Sequence, residues 1–215
     1  TSHFDCENIK LGDFLETREN AYKRLLNVIK KSEMQFKNLV LKLGAEVKFS
    51  PALCDIDITK LCIENTHFIL LELPCDMYPF HFDEVIYQIQ SAGVIPLIAH
   101  IERYPYILDN PTILYEWIDK GLFTQMNAST FQTKKRENKI FFDFLKWNMV
   151  QVVASDTHSV HRRPPNLREG LETLQKYIGL EKTNQLIQNA SDIFYDKPLE
   201  VKNIYYPQKR WGKWR

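Results

Sequence analysis

The feature that most constrains this sequence is a set of short apolar runs that do not alternate. His67 to Leu73 (HFILLEL), Val94 to His100 (VIPLIAH) and Val150 to Ser155 (VQVVAS) are apolar at most positions. A strand with one wet face would carry a polar residue at every second place; near-continuous runs belong to parallel strands buried on both faces. Parallel strands need long crossovers, and helical patterns fill the gaps. Ala21 to Lys31 sets Tyr22, Leu25, Leu26 and Ile29 on one side, and Phe82 to Ser91 stops at Gly93. Thr112 to Lys120 is capped by Gly121, Asn138 to Trp147 follows, and Leu167 to Ile178 has Gly179 behind it, with a further helix over Lys182 to Gln188. Two more strands are expected, at Leu39 to Val47, broken by Gly44, and at Leu122 to Ala128. Five strand–helix units imply an α/β fold, either a (β/α) barrel or an open doubly wound sheet.

The 215 residues are enough for a sizeable core, and 44% hydrophobic content with 26% charge excludes a disordered or low-complexity chain. No apolar run reaches the ~20 residues of a membrane helix, and no charged-then-apolar start reads as a signal peptide. The four cysteines (Cys6, Cys54, Cys62, Cys75) form no CxxC pair, so they read as reduced thiols of a cytoplasmic protein rather than a disulfide framework or zinc ribbon. The formal charge of +1 selects no partner; nucleic acid is not indicated. Residues 1–198 read as one domain and 199–215 as a basic aromatic tail. Within it, Val201 to Arg215 carries Lys202, Lys209, Arg210, Lys213 and Arg215 without an acid, so removing those five charges from +1 leaves the rest of the chain at −4. Such a tail suits an anionic surface or an acidic partner, or else lies free or folded back on the body. The chain starts at Thr1 rather than Met, which reads as a processed product or a piece of something longer.

The chemistry lies at the strand ends. Glu46, Glu72 and His100 each close a strand, and Asp156 follows the last strand with His158 two residues on. In a barrel those ends share one face, where active sites sit. Singly, each has a plain explanation: a solvated Glu, a hydrogen-bonded core histidine, a turn at Asp156-Thr157-His158. Glu72 is harder to explain away, because a carboxylate between Leu71 and Leu73 must be paired or metal-bound. Several strands agreeing on ligand-type residues favours a metal site. Histidine with carboxylate suits Mn, Fe or Zn better than Mg or Ca, and such sites activate water to hydroxide. Arg103 and Arg163 follow His100 and His158 closely, as guanidinium forks for an anion such as a phosphate monoester. Arg162 and His161 stand nearby with weaker claims, and His67 and His81 read as structural. There is no Gly-rich phosphate loop, no GxSxG elbow and no cysteine followed by an anion loop.

These residues resemble the PHP-domain (polymerase and histidinol phosphatase) superfamily, and more closely its bacterial CpsB/YwqE-type tyrosine-protein phosphatases. Thr1-Ser2-His3-Phe4 is similar to the family's T-P-H-H, and Leu43 to Val47 to its G-x-E-[VI] strand. Leu70 to Pro74 (LLELP), Ile95 to Arg103 (IPLIAHIER) and Ala154 to His158 with Arg163-Pro164 follow in family order. The resemblance implies a distorted (β/α)7 barrel of PHP type that binds up to three ions, most often Mn2+, in a complete chain. It implies hydrolysis of phosphotyrosine on a bacterial tyrosine kinase that controls capsule or exopolysaccharide assembly. By the same match His3, Glu46, Glu72, His100, Asp156 and His158 take metal-ligand roles, and Arg103 and Arg163 bind and neutralise the phosphate.

The family's opening strand, with D-x-H-x-H, has no counterpart here. A first strand–helix unit is therefore expected to be absent from this sequence, and two histidines and an aspartate with it. Ile101 stands for the usual proline, Phe4 for the second histidine, and the loop from Thr130 to Arg136 lacks the glycines common there. A fragment of an ordinary enzyme fits these departures better than a natural loss, since the Glu46, Glu72 and His100 set is kept. The alternatives are an inactive or weakened binding relative and a small-molecule phosphoesterase of histidinol-phosphatase type.

Overall fold

The computed structural model describes residues 1–31, 36, 39–132, 139–201, 203–210 and 213–214. Six parallel strands form one sheet: β1 (Ser2–Phe4), β2 (Ala45–Lys48), β3 (Phe68–Glu72), β4 (Ile95–Ile98), β5 (Phe123–Asn127) and β6 (Val152–Ala154). Their spatial order is their chain order. A doubly wound sheet reverses order at a switch point, so this succession belongs to barrel-type winding. The connecting helices are α1 (Leu11–Lys31), α2 (Phe82–Ser91), α3 (Pro105–Asp109), α4 (Thr112–Asp119), α5 (Lys139–Lys146) and α6 (Leu167–Phe194).

The continuous apolar runs resolve into two faces with a period of two. Val47, Ile69, Leu71, Ile98, Met126 and Val153 point outward into a large core with Phe14 of α1, Ile86 of α2, Trp117 of α4 and Phe144 of α5. The residues between them, Phe68, Leu97 and Val152, point inward and meet Ile193 of α6, with Leu70, Ile95 and Phe123 alongside. The sheet is curled. In a flat sheet five strand spacings would separate β1 and β6 by about 24 Å. Here the rings of His3, on β1, and His158, just after β6, have their Nε2 atoms 3.4 Å apart. The fold is thus a curled parallel half-barrel with a hollow on its inner side.

α6 closes the floor of that hollow. Two expected helices form one element that kinks at Gly179, whose φ of 84° lies in the left-handed region. Leu174 and Leu186 pack on the outer core, and beyond them Ile193 reaches the inner one. Asp196 then receives the His67 backbone N–H at 2.8 Å and faces His67 Nδ1 at 2.7 Å, which pins the end of α6 to the start of β3.

Three differences from the sequence reading have physical reasons, and the tail takes one of the arrangements expected for it. β1 is three residues long, too short for a pattern. α1 begins at Leu11, ten residues early, because its first half buries only Phe14 and shows little apolar period. The strand expected from Leu39 is confined to Ala45–Lys48, where pairing with β1 and β3 supplies its partners. The tail is laid against the body: Tyr205 N–H donates to Trp147 O at 3.0 Å, Asn148 Nδ2 to Asn203 O at 2.9 Å, and Trp214 Nε1 to Asp109 O at 3.2 Å. Its end forms a two-stranded hairpin, β7 (Lys209–Arg210) and β8 (Lys213–Trp214). Residues 133–136 of the glycine-poor loop, Asn138 at the expected start of α5, and Lys202, Trp211 and Arg215 of the tail lie outside the described residues. All four cysteines are free thiols.

Candidate metal centre

Register explains why distant residues meet. His3 pairs with Glu46 across β1 and β2, and Lys48 with Glu72 across β2 and β3, so His3, Glu46 and Glu72 enter the mouth on neighbouring strands. His3 Nε2 lies 3.9 Å from Glu46 Oε2, and its Nδ1 4.0 Å from Glu72 Oε2. One ligand-type atom from each of the three falls within 4.8 Å of the other two. His100 completes the group from the end of β4: its Nε2 is 2.9 Å from Glu46 Oε1 and 3.3 Å from Glu72 Oε1. Glu46 and His100 are buried, whereas His3 is exposed and faces the hollow.

Electrostatics bind this group tightly. Burial works to depress the His100 pKa, but hydrogen bonds to Glu46 and Glu72 outweigh it and push it up to about 9. Burial likewise works to raise Glu46, yet the His100 hydrogen bond and the charges of His3 and Arg103 hold it below its ordinary value. Glu72 is lowered by its hydrogen bond with His100. A proton on His100 thus sits where two carboxylates converge, a place a cation would also favour.

The second half of the mouth is organised by Asp156. Its Oδ2 receives Arg103 Nη2 at 2.8 Å, Arg163 Nη1 at 3.1 Å and Asn127 Nδ2 at 3.1 Å. Its Oδ1 lies 3.3 Å from His158 Nδ1, and that nitrogen is 2.9 Å from the Asp156 carbonyl. His100 and Asp156 both have positive φ, 33° and 49°, a costly conformation for residues with a Cβ and one that clusters at functional sites. A cavity of about 620 Å³ joins the halves. His3, Glu46, His100, Asp156 and His158 line its mouth, and Leu70, Leu97, Val152 and Ile193 its depth.

All six expected ligands and both arginines therefore lie at one mouth, while His161 and Arg162 are exposed beside it. His67 and His81 are elsewhere, paired with Asp196 and Glu84. Sequence reasoning missed the link between the halves. The His100 N–H donates to Gln125 Oε1 at 2.7 Å, Gln125 Nε2 to Asn127 Oδ1 at 2.9 Å, and Asn127 Nδ2 to Asp156. The signal was available: two amides two apart on a core strand share a face and must find partners. Tyr104, fully buried, was also missed. Its hydroxyl accepts the Leu73 N–H at 3.0 Å and lies 3.3 Å from His100 Nδ1.

A curled parallel half-barrel with imidazoles and carboxylates gathered at the carboxyl ends of its strands defines the class of this chain, the α/β barrels. Within it, this chain belongs to the capsular polysaccharide synthesis CpsB/CapC family, whose model matches residues 1–195. It is similar to the tyrosine-protein phosphatase YwqE of Bacillus subtilis, 33% identical over 150 residues that span 66% of this chain and 59% of that protein. It is 30% identical to the tyrosine-protein phosphatase CpsB of Streptococcus agalactiae over 83% of this chain and 78% of the relative. The solved structures of YwqE from Bacillus subtilis and CpsB from Streptococcus pneumoniae, described as unique metal-dependent tyrosine phosphatases, include a chain that superposes with a TM-score of 0.78. That match has 27% identity and covers 90% of this chain and 78% of the other.

Proposed function

We propose that this chain is a metal-dependent protein-tyrosine phosphatase acting in the cytoplasm on a bacterial tyrosine kinase that controls capsule or exopolysaccharide assembly. The observation that carries this is the meeting of His3, Glu46, Glu72 and His100 beside Asp156 and its two arginines. The donor set fits a divalent transition ion, since mixed imidazole and carboxylate donors suit Mn2+, with Fe or Zn as alternatives. His3, Glu46, Glu72 and His100 would hold one ion, and Asp156 and His158 would contribute to a neighbouring one. Such an ion supplies Lewis acidity toward a phosphoryl oxygen and lowers the pKa of water.

The chain's own residues do the rest. Asp156 divides its oxygens: Oδ2 holds the guanidinium groups of Arg103 and Arg163, and Oδ1 stays on the His158 side. The arginines are thereby aimed with further N–H groups left for the equatorial phosphoryl oxygens, where charge builds in the transition state. The His158 Nδ1–H is directed at the Asp156 carbonyl, which fixes its tautomer and leaves the Nε2 lone pair toward His3. The apolar walls below exclude water around an aryl group.

Hydrolysis of a phosphotyrosine peptide with added Mn2+ tests the reading. His100→Ala and Asp156→Asn are each expected to lower kcat/KM by at least ~100-fold. Unchanged turnover in either would sink it. Faster hydrolysis of histidinol phosphate than of the peptide would move the chain to the small-molecule phosphoesterases, and metal-saturated protein without turnover would leave a binding relative.

A further inference from the structure

The phosphatase reading gives no role to Tyr104, a fully buried residue whose ring lies beside that of His100, 5.7 Å between centroids. It closes the turn Ile101–Arg103 after β4, and its ring stacks on that of Tyr106 at 5.6 Å and 12°. So held, its hydroxyl reaches the ends of two strands at once. Ala99 N–H, just past β4, still donates to Leu71 O of β3 at 2.9 Å. The chain then turns away through His100, whose φ is 33°. The Leu73 N–H, just past β3, is met by a side chain and donates to the Tyr104 hydroxyl oxygen at 3.0 Å. The same oxygen lies 3.3 Å from His100 Nδ1. At the other end of that ring, Nε2 stands 2.9 Å from Glu46 Oε1 and 3.3 Å from Glu72 Oε1.

We propose that Tyr104 is a positioning residue of the metal centre: its hydroxyl oxygen accepts the His100 Nδ1–H, which keeps the Nε2 lone pair for a divalent cation, and it anchors the backbone next to Glu72. This rests on the reading of the mouth as a metal centre. A neutral imidazole carries one ring proton, and a cation on Nε2 requires that proton on Nδ1. Among the described residues, the hydrogen-bond partner of Nδ1 is the Tyr104 hydroxyl. The two carboxylates pull the other way, because either would accept a proton held on Nε2. Without the hydroxyl, a proton on Nδ1 would be buried with no acceptor, and the form with the proton on Nε2 would gain. That form offers a cation no lone pair. Tyr104 is thus the counterweight to Glu46 and Glu72, and through Leu73 the same oxygen holds the strand end that carries Glu72.

The test is a calorimetric Mn2+ titration of the whole chain, native against Tyr104→Phe. Phenylalanine keeps the ring and its stack and removes only the oxygen. The Kd is expected to rise about 10-fold, the usual effect of losing the partner behind a ligating histidine. Tyr106→Phe is the control, since it removes a hydroxyl from the same stack whose hydrogen bond goes to Pro74 O at 3.2 Å. It should leave the Kd within about twofold of native, because no ligand leans on that hydroxyl. A proton–nitrogen correlation spectrum of the native chain loaded with Zn2+ reads the ring itself, and His100 should show its proton on Nδ1 and the ion on Nε2. An unchanged Kd in Tyr104→Phe, an equal rise in Tyr106→Phe, or a native His100 with the ion on Nδ1 overturns the proposal. The spectrum needs no variant, so it decides even where Tyr104→Phe fails to fold. A native chain that takes up neither ion overturns the metal reading and this role together. A chain that binds the ions without hydrolysing phosphotyrosine loses the catalytic reading alone, and the Kd comparison still decides the role of Tyr104.

Discussion

Buried between Glu46 and Glu72, His100 ties the stability of the metal-free chain to pH. Its pKa rises from 6.5 to about 9, against the pull of burial, because both carboxylates bond to it. Below pH 6.5 the ring is charged folded or unfolded, and the pairing contributes in full; between 6.5 and about 9 only the folded chain keeps the proton, and that contribution is lost as pH rises. Glu46 and Glu72 lie below their ordinary 4.5, so they contribute above it and lose their share as pH falls. In chelator the melting temperature is expected to be highest near pH 5 to 6.5 and to fall toward pH 9, whereas saturating Mn2+ should reverse the slope by displacing the proton. A flat profile in chelator between pH 6 and 9 would contradict this. Asn127→Leu cuts the amide chain between the two halves of the mouth and removes one hydrogen bond to Asp156 without replacing an expected ligand. It is expected to weaken Mn2+ binding by about 10-fold and kcat/KM by a similar factor, read by metal titration and kinetics. The charged members of the mouth were legible in the sequence because a carboxylate inside an apolar strand demands a partner. Gln125, Asn127 and Tyr104 were not read, since neutral polar residues satisfy themselves in many ways and only coordinates show which.

Among the elements, α6 sets the position of the β5 end. Gly170 passes so close to the turn after β5 that an added Cβ would sit 2.7 Å from Ala128 Cβ and 3.0 Å from its carbonyl oxygen. Backbone cannot yield as a flexible side chain can, so Gly170→Ala is expected to cost about 1–3 kcal/mol in a denaturant melt. Because Asn127 precedes Ala128, the same substitution should lower kcat/KM, and a variant that loses stability but keeps full activity would show that the turn absorbs the shift. Strands β3, β4 and β6 were legible because burial on both faces writes apolar residues at nearly every position. β1 and the first half of α1 were not, because three residues carry no period and one buried phenylalanine marks no face. Gly179 was read as a stop, whereas the chain turns there and resumes its helix.

At the scale of the whole molecule, sequence pattern left a barrel and an open sheet equally possible, since the crossovers look alike in both. Curvature comes from packing: α6 presses Ile193 against the inner face, and the sheet bends around it. The bend brings the first and last strands to face each other at the mouth, where His3 meets His158. Their backbones are not paired, and the described contact across the gap there is between side chains, His3 to His158. A metal centre that draws ligands from both His3 and His158 would then serve as a hasp as well as a reagent. Stripping it should speed hydrogen exchange in β1 and β6 severalfold while β3 and β4 stay protected, and uniform protection with and without chelator would show that the seam holds by itself. Losing that metal would leave this half-barrel loosened as well as idle, and the seam at its mouth would be the first part to come undone.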